Sequence, residues 1–200
     1  MVEVFSSGGV LMLPILLCSI AVLAIGLERW WSLRRSQVLP EALLARLENV
    51  AGWSAQAGAL NDLGATSQLG YVLAVGLKNL ALPHDQFHQV LRGAIDLVAH
   101  NLERYLTVLG VIAAICPLLG ILGTVVGLID VFDQLFAAQQ AQTHLLAGGI
   151  STALVTTAAG LVVAIPALIC HRVLLRHVDA LLIEIEAVSS RFLEQMRAAK

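Results

Sequence analysis

Apolar positions cluster into three long stretches, and the rest of the chain alternates polar with apolar residues. The stretches run over residues 8–27 (GGVLMLPILLCSIAVLAIGL), 106–129 (LTVLGVIAAICPLLGILGTVVGLI) and 145–170 (LLAGGISTALVTTAAGLVVAIPALIC), and none contains Asp, Glu, His, Lys or Arg. Each reaches the roughly 20 residues a helix needs to cross about 30 Å of hydrocarbon. A segment in lipid must satisfy its own backbone groups, which selects helices. Only Glu3 among ionisable residues precedes the first stretch, and its arginines follow it. That order fits a retained span rather than a cleaved signal peptide.

Between the first two stretches the pattern becomes amphipathic. Pro40 opens EALLARLENV, with Leu43, Leu44 and Leu47 on one helical stripe. Gly52, Gly58, Asn61 and Gly64 interrupt it as turns. A mostly apolar pattern from Gln68 to Leu80 follows, and after Pro83 a helix capped by Asp85 runs through Leu91, Ile95, Val98 and Leu102. No breaker separates that helix from the second span, so one rod is expected from about Asp85 to Ile129. The third span likewise runs on, with Val173, Leu174, Val178, Leu181, Leu182, Ile185, Val188 and Phe192 on one broad face. That face must pack on the helix before span two or on its own copy in a neighbouring subunit.

The expected fold is therefore an all-α integral membrane protein with three transmembrane helices, spans two and three extending as long helices into the cytoplasm. The expected divisions are 1–28 (outside N-terminus and first span), 29–104 (cytoplasmic helical region), 105–132 (second span), 133–146 (outside loop), 147–171 (third span) and 172–200 (cytoplasmic C-terminal helix).

Composition agrees: 58% hydrophobic and 13% charged residues, with mean hydropathy +0.83, against about 25% charged in soluble domains. Charge placement adds orientation. Arg29, Arg34, Arg35, Arg46, Lys78, Arg92 and Arg104 lie between spans one and two, and Arg172, Arg176, Arg191, Arg197 and Lys200 follow span three. The positive-inside rule puts the N-terminus outside and both basic regions in the cytoplasm. A net charge of −2 with interleaved acids gives no footprint for nucleic acid. Cys18, Cys116 and Cys170 each fall in a different span, without metal-ligand or disulfide-framework spacing.

The candidate chemistry sits in spans two and three. Gly120, Gly123 and Gly127 share one helix face, as close helix packing in lipid requires, and Pro117 should kink the helix above them. Ser151, Thr152, Thr156 and Thr157 crowd the outer half of span three, with Thr124 at similar depth in span two; Pro166 kinks the inner half. Such hydroxyls read either as a wall facing something polar or as helix packing. No carboxylate, imidazole or amine lies at depth, so a proton path here needs a titrating group from another polypeptide.

The residues CPLLGILGTVVGLIDVF and GISTALVTTAAGLVVAIPALICHRVL, with Gly160 inside the second, resemble the ExbB/TolQ/MotA family of proton-channel subunits. The three-span layout is closer to ExbB and TolQ than to the longer MotA. The resemblance covers essentially the whole chain. It implies a homopentamer whose second and third helices enclose the transmembrane helices of an ExbD- or TolR-like partner bearing an aspartate. Thr124 and Thr157 take the family's pore-facing threonine positions, and a TonB- or TolA-like protein receives the work at the inner membrane. Thr152 stands where ExbB and TolQ commonly carry glutamate, which makes Asp130 and Asp133 candidate pore-mouth acids. Their bland alternative is a pair of interfacial helix-end acids.

Other residues read more plainly. His84 and His88 form a solvated pair with no third metal ligand, His171 and Arg172 anchor the inner end of span three, and Trp30, Trp31 and Tyr105 belong to the interfacial belt. No nucleophile–base pair, phosphate loop or cofactor motif appears, and no enzyme is expected. Two readings remain: a subunit of a proton-driven inner-membrane motor, ExbB-like or TolQ-like, or a non-conducting structural scaffold.

Overall fold

The computed structural model describes residues 11–47, 64–137 and 143–198. All regular structure among them is helical: α1 (Met12–Ser32), α2 (Arg35–Val38), α3 (Glu41–Leu47), α4 (Gln68–Lys78), α5 (His84–Leu102), α6 (Leu106–Ala137) and α7 (Thr143–Ala198). The turns expected at Gly52, Gly58 and Asn61 lie outside the described residues. The chain divides into two compact units, residues 1–28 with 105–173, and residues 29–104 with 174–200.

The first unit contains three helices long and apolar enough to cross a membrane. Leu13, Leu17 and Leu23 on α1, Leu118 and Ile121 on α6, and Leu154, Val162 and Ile165 on α7 are all more than half exposed. Apolar faces of this extent need lipid or other subunits to cover them. The protein is a multi-pass membrane protein. Helices α6 and α7 run on through Pro117 and Pro166, which membrane helices tolerate when neighbours re-satisfy the freed carbonyls.

The second unit is an amphipathic bundle of the usual water-soluble kind. Leu43 and Leu47 of α3, Leu69, Val72 and Leu73 of α4, and Phe87, Leu91, Val98 and Leu102 of α5 are buried, which is why those spacings form helices. Ser67 caps α4, its hydroxyl accepting from the Gly70 amide at 3.1 Å. The distal half of α7 turns Leu174, Val178, Leu181, Ile185 and Phe192 inward, whereas Val173 stands half exposed. Polar ties fasten this stripe. His177 Nε2 lies 2.9 Å from the Leu33 carbonyl, and Arg197 donates to the Leu82 carbonyl at 3.1 Å with its guanidinium 4.8 Å from the Phe87 ring.

Arg35 also grips Glu184 with two guanidinium nitrogens, Nε at 3.2 Å. The hydrogen bond from Arg35 holds the Glu184 carboxyl below the usual glutamate range. A lowered folded-state value contributes stability that is present above the unfolded value and lost as pH falls through the folded one. The pair is exposed, so the effect is small. Arg35→Ala should lower the melting temperature of the purified protein slightly at neutral pH, and the difference should vanish once Glu184 is protonated in acid.

Two expectations are corrected here. The rod from Asp85 to Ile129 is broken: α5 stops at Leu102, α6 starts at Leu106, and between them Tyr105 adopts a left-handed conformation with φ 66°. A non-glycine residue there costs about 1–2 kcal/mol, so local preference does not favour the break. Span two and α5 are therefore separate helices, whereas span three continues as one long helix, Thr143–Ala198. The cap assigned to Asp85 is also displaced, by two residues. Pro83 occupies the N-cap without a side-chain bond, and Asp85 sits within the first turn, where it complements the helix dipole.

Candidate proton-pathway site on the second and third spans

Helices α6 and α7 meet along a seam of small residues. A Cβ added to Gly160 would lie 2.5 Å from the Cys116 carbonyl oxygen and 3.2 Å from the Gly120 Cα. One added to Gly120 would lie 3.0 Å from the Thr157 Cα, and one on Gly127 would lie 3.1 Å from the Ala153 Cβ. Gly123 faces the Thr156 side chain just as tightly. Backbones this close need residues without side-chain bulk, and dispersion contacts then hold the pair in lipid. At the inner end the ring of His171 lies over Gly110, 3.1 Å from where a Cβ would be, with its Nδ1 buried.

The seam sorts the hydroxyls. Thr156 is 1% exposed, wedged against Gly123, and donates to the Thr152 carbonyl at 3.0 Å. Thr157, next in sequence, is half-buried and donates across the seam to the Gly120 carbonyl at 2.8 Å. Thr124, half-buried on α6, donates to the Ile121 carbonyl at 2.6 Å. Thr124 lies four residues beyond Gly120, about 6 Å along the axis, and so about one turn from the Thr157 level. Thr152 donates to the Gly148 carbonyl at 3.1 Å, and Ser151 is exposed.

The structure thus joins Thr157 to Gly120 across the seam and places Thr156 with Gly123 within it, whereas Thr124 donates to its own helix and Ser151 is exposed. Pro117 is half-buried and Pro166 exposed; Asp130 and Asp133 are exposed in the C-terminal part of α6. Among the described residues, α6 from Leu106 to Ile129 and α7 from Gly148 to Cys170 carry no Asp, Glu, His, Lys or Arg. No cluster of three or more metal-ligating side chains occurs among the described residues either.

Sequence reading singled out Gly160 as a packing residue but missed its companions on α7: Ala153, Ala164 and Ala167 are buried with it. Their spacing of seven, four and three residues is a helical stripe of small side chains that could have been read as the matching half of the seam.

A family sequence model described as the MotA/TolQ/ExbB proton channel family matches residues 65–187, more than half the chain and the whole of the seam. This chain belongs to that family. Among its relatives, an ExbB-like biopolymer transport protein of Synechocystis sp. is 34% identical over 182 residues, covering 87% of this chain and 70% of the relative. A second ExbB-like protein of the same organism is 32% identical over 170 residues, covering 82% and 79%. The Tol-Pal system protein TolQ of Haemophilus influenzae is 36% identical over 88 residues, covering 44% of this chain and 39% of TolQ. As a MotA/TolQ/ExbB protein, the chain is a membrane subunit of the proton-channel, biopolymer-transport type.

Proposed function

We propose that this chain is the channel-wall subunit of an inner-membrane motor that couples the proton motive force to work on the cell envelope or to TonB-dependent-type transport. Five copies surround the single-span helices of an ExbD- or TolR-like partner, whose aspartate carries the proton past Thr124 and Thr157. A TonB- or TolA-like protein receives the work. The observation that supports this reading is a set of half-buried hydroxyls, Thr157 on α7 and Thr124 about one turn away on α6, on a helix pair without ionisable side chains at that depth: polar enough for a proton carrier, without a carrier of its own. The distribution of Lys and Arg supports a periplasmic N-terminus and a cytoplasmic C-terminus. Asp130 and Asp133, exposed near the periplasmic end of α6, are proposed to gather protons at the pore mouth.

The burial of Thr156 against Gly123 favours the scaffold reading for that residue alone, so Thr157 decides between the two. Thr157→Val should leave the complex assembled, at a cost of about 1 kcal/mol for the lost hydrogen bond, and lower proton-coupled activity tenfold or more. Thr157→Ser should keep both. A scaffold would show near-normal coupled activity in Thr157→Val.

A further inference from the structure

The end of span one carries a patch that has no part in the proton path. α1 closes on Trp30 and Trp31, which are 62% and 63% exposed, and Leu27, one turn earlier on the same helix, is exposed as well. Three residues past Trp31, the exposed Arg34 holds its guanidinium carbon 4.2 Å from the centre of the Trp31 ring. A cation–π contact of this kind positions the charge but occupies none of its five N–H donors. Among the described residues Arg34 has neither a side-chain hydrogen bond nor an acid partner. The charges beside it do not supply one. Arg35 is bound to Glu184, Arg29 is buried, and Glu28 is matched in number by Arg29. Arg34 is left as positive charge in excess, on an aromatic and apolar surface.

We propose that Trp30, Trp31 and Arg34 hold the headgroup of an anionic phospholipid. Three features converge on that occupant. Indoles are suited to the headgroup level of a bilayer, apolar on their faces and with one N–H to donate. The α1 residues that lead to them, Leu13, Leu17, Ile20, Leu23 and Leu27, are exposed and apolar, a surface that acyl chains cover. The guanidinium fork matches two oxygens of a phosphate. A zwitterionic phospholipid offers the same phosphate but brings its own ammonium toward Arg34, so a headgroup of net negative charge is preferred. One arginine near a bilayer surface favours anionic lipid by about fivefold. The proposal goes beyond the channel reading and needs only that α1 lies in a bilayer. It makes the anchoring of this end of span one depend on the anionic lipid content of the membrane.

Tryptophan fluorescence of the full chain in phosphatidylcholine vesicles tests it. In a Trp53→Phe background Trp30 and Trp31 are the only tryptophans. Phosphatidylglycerol or phosphatidylcholine, brominated near the headgroup end of the acyl chains, is added at equal mole fraction as the quencher. Brominated phosphatidylglycerol should quench with about fivefold higher relative affinity at low salt, and the preference should shrink as salt rises. Arg34→Gln should bring the two lipids to parity, and Arg34→Lys should keep most of the preference. Trp31→Leu, with Trp30 as reporter, should weaken it, and Arg191→Gln, removing an exposed cation on α7, should leave it in place. Equal quenching by the two lipids in the parent protein, or a preference that survives Arg34→Gln, overturns the proposal. So does the absence of quenching by either lipid, which would mean that protein covers the tryptophans. None of these outcomes touches the channel reading, which proton flux tests separately.

Discussion

Gly160→Val is expected to prise α6 from α7 and prevent a stable complex. The first added carbon alone would sit 2.5 Å from the Cys116 carbonyl oxygen, with the Gly120 Cα at 3.2 Å and its amide nitrogen at 3.3 Å. All three are backbone atoms, which cannot rotate aside as a side chain can, so the helices must separate. Overpacking of this kind costs about 1–3 kcal/mol where neighbours can yield, and more where they cannot. Separation also lengthens the 2.8 Å bond from Thr157 to the Gly120 carbonyl and strips contact from the whole seam. Gly148→Ala is the control, because nothing lies within 4 Å of a Cβ added there. Melting and size-exclusion of the detergent-purified proteins should show loss of the folded complex for Gly160→Val and an unchanged profile for Gly148→Ala. Equal profiles would mean that the two helices do not meet at Gly160.

In the second unit, Gly76→Ala and Leu193→Ala should each destabilise the bundle, and the double variant should recover part of the loss. A Cβ on Gly76 would collide with the side chain of Leu193, which is fully buried. The collision is with the tips of a flexible side chain, so the cost is about 1–3 kcal/mol. Leu193→Ala leaves a cavity and costs about 2–5 kcal/mol. Combined, the new methyl occupies part of that cavity, so the double variant should be less destabilised than the sum by about 1 kcal/mol or more. Chemical unfolding reads the cycle. Strict additivity would show that α4 does not pack on α7 through this pair.

The spans were legible because length and lack of charge are strong signals when the solvent is lipid, and the apolar stripes of α4, α5 and distal α7 were legible because burial follows a 3.6-residue period. Leu43, Leu47, Leu91, Val98 and Ile185 are buried as their spacing requires. The break at Tyr105 was not legible. Neither glycine nor proline marks it, and a tyrosine at a left-handed φ of 66° is a conformation that its residue type does not announce. The cap at α5 was misread because Pro83 fixes the entry by its own ring geometry, leaving Asp85 inside the helix.

Within the candidate site, sequence grouped the hydroxyls by depth but could not rank neighbouring ones. Thr156 and Thr157 are 100° apart on the helix. Only the register of α7 against α6, set by Gly160 on Cys116 and Ala153 on Gly127, turns the first into the seam and leaves the second able to bridge to Gly120. That register also lets Thr157 donate across the seam to the Gly120 carbonyl, which residue types alone do not reveal.

The central claim is that this chain supplies an uncharged, hydroxyl-bearing wall and takes its titrating acid from another polypeptide. Proton flux into liposomes under an imposed membrane potential tests it most directly, comparing the purified chain alone with the chain co-purified with its single-span partner. The account predicts flux only with the partner present, and its loss when the partner's membrane carboxyl becomes an amide. Equal flux from the chain alone would contradict it.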